Sequence, residues 1–247
     1  TPLILLCVFA WYFALRHNSD SIAGGWLFLS IVKPQYTIGP GIVTLLGRRW
    51  KTIIIFSIAG ILLVVSIGIK FGWNLWIDFF SNLIVSGSYF NEFGINPSAM
   101  YNLKGILTLC LGSAQADLIN ILSLSSFLFS LALTVWLWRG KWDVQQPAFI
   151  IRMSFTLFLS ILFSLHVNLQ DGLLLVAPAV LFYEYLRQRN LPRKKFAILA
   201  LSCPALLLLD EFFLSNWLPI RLTVVAMVIM LVWSGKLLRQ ENLNSKQ

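Results

Sequence analysis

The chain has 247 residues, of which 58% are hydrophobic and 12% charged, with a mean hydropathy of +0.78 and a formal net charge of +9. A soluble domain carries about a quarter charged residues, so this apolar excess excludes a single water-soluble core and makes lipid the solvent for much of the surface. The cations sit in short loops between apolar runs and form no continuous basic face, which excludes a protein that tracks nucleic-acid phosphates.

The chain opens at Thr1, two residues before the apolar run 3–15. That run lacks the basic leader and small-residue cleavage site of a signal peptide. It reads as a helix cut partway along, so an N-terminal truncation is expected. Next come the apolar runs 22–32 and 36–47, separated by Lys33-Pro34-Gln35. Each is ~16–18 Å long as a helix, too short to span alone. They are either two short helices meeting at a polar apex or one span kinked at Pro34.

Runs 52–69, 117–138, 148–165 and 220–238 each approach or exceed the ~18 residues needed to cross the hydrocarbon. Runs 172–186, with Pro178, and 196–209, with Pro204, reach only ~21–23 Å. The stretch 70–116 is the one long interruption. Trp73, Trp76, Phe79 and Phe80 recur in it at helical spacing, which predicts an amphipathic helix lying at the membrane interface. Its later part, with Gly87, Gly94 and Pro97, reads as a turn-rich link. The predicted fold is all-α, a single polytopic transmembrane bundle over residues 1–247 with short or broken helices beside full spans.

Alternating the spans puts Arg16, Arg48, Arg49, Lys51, Arg139, Lys141, Arg187, Arg189, Arg193, Lys194, Lys195, Lys236, Arg239 and Lys246 on one side when 22–47 is two helices. Lys33, Lys70, Lys104 and Arg221 fall opposite. The single-span alternative moves Arg16 alone. Positive residues favour the cytoplasmic side, so the basic loops are expected in the cytoplasm, the 70–116 loop outside it, and the protein in the cell's inner membrane.

Polar chemistry collects on the outer side. Lys33, with Gln35 beside it, reads either as a cation for a phosphate group or as a lysine snorkelling at a helix end. His166 and Asp171, with Asn168 and Gln170 between them, can orient a sugar hydroxyl or move a proton, or Asp171 can simply cap the next helix. Tyr101, Asn102 and Lys104 can bind hydroxyls and phosphate, or form a turn in which the asparagine bonds its own backbone. The other outer acids are Asp78, Glu92, Asp117, Asp210 and Glu211, of which the last two read as interface anchoring. Cys7 and Cys203 read as buried small hydrophobes, and Cys110 is undecided. No disulfide framework, metal site or nucleotide fingerprint is present in the sequence, and neither cofactor nor metal is expected.

The order of these features resembles a known family. Ala23-Gly24-Gly25 runs into Lys33-Pro34-Gln35; Arg48-Arg49-Trp50 closes the next run; Trp76 and Phe79, then Tyr101-Asn102, then the His166–Asp171 loop follow. Over roughly 23–185 this is similar to glycosyltransferase family 87, the polyprenyl-phosphate-mannose-dependent mannosyltransferases of the multi-spanning C-type superfamily. The resemblance implies transfer of a hexose from a polyprenyl-phosphate donor to a lipid or glycan acceptor at the non-cytoplasmic face. Lys33, then Lys104, would meet the donor phosphate, and His166 and Asp171 would line the cavity. It also implies a catalytic aspartate in a first outer loop, which would lie upstream of Thr1, so no catalytic residue is assigned here. The alternatives are a transporter or flippase, and a non-catalytic membrane subunit or fragment.

Overall fold

The structure is a computed structural model and describes residues 1–86, 96–140, 142–191, 202, 205–210 and 221–244. Most of the run 196–209, with Pro204 and Cys203, lies outside the described residues, as do Gly87, Glu92, Gly94, Lys141, Arg193, Lys194, Lys195, Glu211 and Lys246.

Every regular element among the described residues is helical. In chain order they are α1 (Pro2–Arg16), α2 (Asp20–Leu29), α3 (Pro34–Leu46), α4 (Trp50–Phe71), α5 (Asn74–Ser86), α6 (Leu103–Leu111), α7 (Ala116–Trp138), α8 (Pro147–Leu162), α9 (Val176–Gln188) and α10 (Leu222–Asn244). Among the described residues four stretches are long and apolar enough to cross a membrane: Trp50–Phe71, Ser113–Trp138, Leu169–Gln188 and Leu222–Glu241. Shorter apolar helices pack beside them, giving the expected all-α membrane bundle.

The segment 22–47 is a helical hairpin. At its base, Arg49 Nη1 donates to Asn18 Oδ1 at 3.0 Å, and Thr52 Oγ1 donates to the Asp20 carbonyl at 3.0 Å. The start of α2 and the start of α4 are therefore at one end of the bundle. The short 3-10 turn Ser30–Val32 and Lys33 form the apex at the other end, where Ser30 Oγ and Thr37 Oγ1 are 2.9 Å apart. Proline supplies the break: Pro34 cannot continue α2 but suits the first turn of α3. Gly24 lets α2 lie directly on α4, since a Cβ there would stand 2.7 Å from the Thr52 carbonyl oxygen and 2.8 Å from Ile55 Cβ.

Two lengths differ from expectation. The run 148–165 was expected to span, but α8 has only 16 residues and is buried on almost every face, against α9, α10, α3 and α7. It is the centre of the bundle, and a helix sheathed in protein has no bilayer thickness to match. The run 172–186 was expected to be short. A 3-10 stretch, Leu169–Leu175, leads directly into α9, and the continuous unit is ~33 Å long. Hydropathy registers neither burial nor 3-10 extension. By contrast, only 11% of the most apolar window of α4 is buried, and Ile54, Ile58, Ile61 and Ile69 face outward.

Helix directions alternate so that Arg16, Arg48, Arg49, Arg139, Arg187, Arg189, Lys236 and Arg239 share one end, hereafter the basic end. There Glu241 Oε1 accepts from Tyr185 Oη at 2.8 Å and Arg189 Nε at 2.7 Å, pinning α10 to α9. Trp73, Trp76, Phe79 and Phe80 follow α4 in and just before α5. The Trp76 indole donates to the Val64 carbonyl at 3.1 Å and Trp73 packs on Gly68, so α5 is attached to the outer part of α4. Cys7 is buried, as expected, and Cys110 is exposed.

Candidate functional site

The predicted polar residues meet at the end opposite the basic one, around the segment 164–171 that connects α8 to the 3-10 stretch. The Lys33 ammonium, at the hairpin apex, forms an ion pair with the Asp171 carboxylate. Thr1 Oγ1 donates to the same carboxylate oxygen at 2.7 Å and accepts from Lys33 Nζ at 3.3 Å. The other carboxylate oxygen accepts the Asn168 backbone N–H at 3.3 Å. Asp171 therefore does two things: it caps its own 3-10 stretch and anchors the hairpin across the bundle. Its side chain is fully buried, whereas that of Lys33 is 22% exposed. The Tyr36 hydroxyl is buried near Asp171 but outside hydrogen-bonding geometry.

His166 is half-buried on the same segment. Burial pushes its imidazole below the ordinary histidine range; Lys104 and Lys33 push the same way and Asp171 opposes them. Burial thus favours the uncharged ring. Lys104 is almost fully buried in α6, and burial lowers its ammonium as well. Gln35 is half-buried in the first turn of α3, beside the apex.

Tyr101 and Asn102 join this cluster from the other side. The Tyr101 N–H donates to the Val167 carbonyl at 3.4 Å. Asn102 Nδ2 donates to the Ser164 carbonyl at 2.7 Å, and Asn102 Oδ1 accepts the Gly105 N–H at 2.9 Å as the N-cap of α6. Both side chains are buried, so the structure gives Asn102 a bracing use between α6 and the 164–171 segment. Asn168 and Gln170 are exposed. Asp210 is buried and caps α10, accepting the Leu222 and Thr223 N–H groups at 3.0 and 2.6 Å. Its place is a helix cap and not an interface anchor. Among the described residues no three His, Cys, Asp or Glu side chains come together.

Two residues at this end were not singled out from sequence. Thr1 carries no motif. Arg221 was visible only as one of four cations on the sparsely charged side, and it now stands over the Tyr101 ring at 5.1 Å.

Beside Lys33 an apolar groove of about 370 Å³ opens between α2, α3 and α4. Pro34, Thr37, Ile38, Gly41 and Leu45 line it along one face of α3, with Leu27 and Ile31 on α2 and Ile53, Phe56 and Ser57 on α4. From Pro34 to Leu45 it follows ~16 Å of helix. A charged cluster at one end of a lipid-accessible bundle, with an apolar groove leading away from it, suits an amphiphilic substrate.

This arrangement is that of an integral membrane protein with a polar cluster at one end of its bundle. The chain belongs to glycosyltransferase family 87, whose family model matches residues 1–165. It is therefore an integral membrane glycosyltransferase, with a sugar donor and an acceptor as substrates. The match begins further upstream than the resemblance read from sequence and stops just before His166, so Asp171 and Pro178 lie beyond it. No curated protein and no solved structure matches the chain.

Proposed function

We propose that the chain transfers a hexose, mannose, from a polyprenyl-phosphate donor to a hydroxyl of a lipid or glycan acceptor, at the membrane face opposite the basic loops. The basic loops then face the cytoplasm, and α5 rests at the outer interface. The observation that carries this reading is the Lys33–Asp171–His166 cluster at the end of the bundle away from the basic loops, beside the apolar groove.

The chemistry follows from the charges. The acceptor oxygen attacks the anomeric carbon, the bond from that carbon to the phosphate oxygen breaks, and polyprenyl phosphate leaves with one more negative charge. Fixed cations at this end of the bundle stabilise that developing charge. The groove along α3 holds the first isoprene units, so the phosphate stays at the surface while the tail remains in hydrocarbon. His166, whose burial favours the uncharged ring, orients a hydroxyl or takes its proton.

The test uses membranes expressing the protein from its complete reading frame and supplied with radiolabelled polyprenyl-phosphate mannose. Label is expected in an acceptor, with the rate cut at least about tenfold by His166→Ala or Lys33→Ala. Unchanged rates in both variants remove the site assignment. Transfer from a nucleotide sugar in membranes stripped of polyprenyl phosphate removes the donor assignment.

A further inference from the structure

Arg221 is a buried, strongly basic group at this end with hydrogen-bonding capacity left open. It is 7% exposed. Nη2 donates to the Ser98 carbonyl at 3.1 Å, while Nε and Nη1 are buried with no hydrogen-bond partner. The guanidinium lies over the Tyr101 ring, a favourable but weak partner for a cation. Among the described residues no carboxylate pairs with it. Asp210, the described acid next before it in the chain, gives its oxygens to the Leu222 and Thr223 N–H groups and the Thr223 hydroxyl. Arginine does not lose its proton to escape burial, so an arginine held like this is completed by an anion.

Lys33 contrasts with it. Its charge is already balanced by Asp171, and Thr1 takes a further bond. An incoming anion at Lys33 must compete with a carboxylate; at Arg221 no carboxylate among the described residues stands in its way. We propose that Arg221 is an anion-binding residue of the site and that it receives the phosphate of the lipid-linked substrate, with the Tyr101 ring as the platform beneath it. This rests on the polyprenyl-phosphate reading above. It gives Lys33–Asp171 the task of holding the hairpin apex in place and puts the phosphate contact at the start of α10. Arg221 lies outside the segment matched by the family, so the assignment comes from the geometry.

The experiment measures binding separately from transfer. The purified full-length protein in nanodiscs is heated with undecaprenyl phosphate, with undecaprenol of the same chain length, or with inorganic phosphate. Undecaprenyl phosphate is expected to raise the melting temperature more than undecaprenol does. Arg221→Gln is expected to abolish that difference and to weaken binding of the phosphate lipid about tenfold or more, the loss expected for charge-assisted hydrogen bonds. Arg221→Lys keeps the charge and leaves the Ser98 contact open to an ammonium, so it serves if the glutamine variant does not fold; it should retain part of the difference. Stabilisation by inorganic phosphate as well would mean that the anion alone suffices, and stabilisation by the lipid only would mean that the tail is needed. The inference is overturned if no phosphate probe stabilises the wild type, or if either variant binds undecaprenyl phosphate as the wild type does. Sugar transfer, followed in parallel, reports on the proposed function: Arg221-dependent binding without transfer sinks that reading and leaves the anion site standing.

Discussion

Replacing Lys33 with methionine removes the partner of a fully buried carboxylate while keeping the length of the side chain. Breaking a wholly buried ion pair costs roughly 3–5 kcal/mol. Here water reaches the lysine, which is 22% exposed, and the Thr1 hydroxyl and Asn168 N–H still serve the carboxylate. The expected loss is therefore about 2 kcal/mol, or up to about 30-fold in the folding equilibrium. Asp171→Asn should cost less, about 1 kcal/mol, because the stranded ammonium can turn to water whereas the stranded carboxylate cannot. The double variant should be less damaged than the sum of the two. Reversible unfolding in mixed detergent micelles, followed by tryptophan fluorescence, measures all three. An Asp171→Asn loss larger than that of Lys33→Met, or strict additivity, would show that the pair does not hold the hairpin to the 3-10 stretch.

The depressed imidazole of His166 gives a pH dependence of known sign. The unfolded chain takes up this proton near pH 6.5 and the folded chain resists it, so stability is intact above that pH and declines as pH falls below it. Melting temperatures between pH 8 and 5 should show a slope that His166→Gln reduces; equal slopes would refute the burial argument. Gly24→Val should destabilise by about 1–3 kcal/mol through its clash with Thr52 and Ile55, whereas Gly25→Val, with open space around it, should stay within about 1 kcal/mol. Asp210→Ala should cost about 1 kcal/mol by uncapping α10, seen as faster hydrogen exchange at residues 222–224. Glu241→Gln should loosen the junction of α9 and α10 by about 1 kcal/mol, since Arg189 is partly exposed, and a crosslink between those helix ends would restore it.

Much of this protein is legible without coordinates. An apolar excess forces helices into lipid, because a backbone in hydrocarbon must satisfy its own hydrogen bonds. The alternation of spans with basic loops sorts the charges to one end, and a proline after a lysine marks a break at Lys33, although only the structure decides that the break is a hairpin apex and not a kink within one span. The same pattern located the end where Tyr101, Asn102, His166 and Asp171 gather. It did not reveal how those groups divide their work. That Asp171 is committed to Lys33, that Asn102 braces α6, and that the Arg221 guanidinium lies open over Tyr101 depend on contacts between residues tens to more than a hundred positions apart. Helix lengths depart from the hydropathy pattern for a related reason. Local hydropathy treats every apolar run as facing lipid, whereas α8 is enclosed by its neighbours, and the extension of α9 through Asp171 is a 3-10 stretch held by the fold. Solvent preference acts residue by residue and can be read along a chain; partnership among buried polar groups exists only after distant segments have come together.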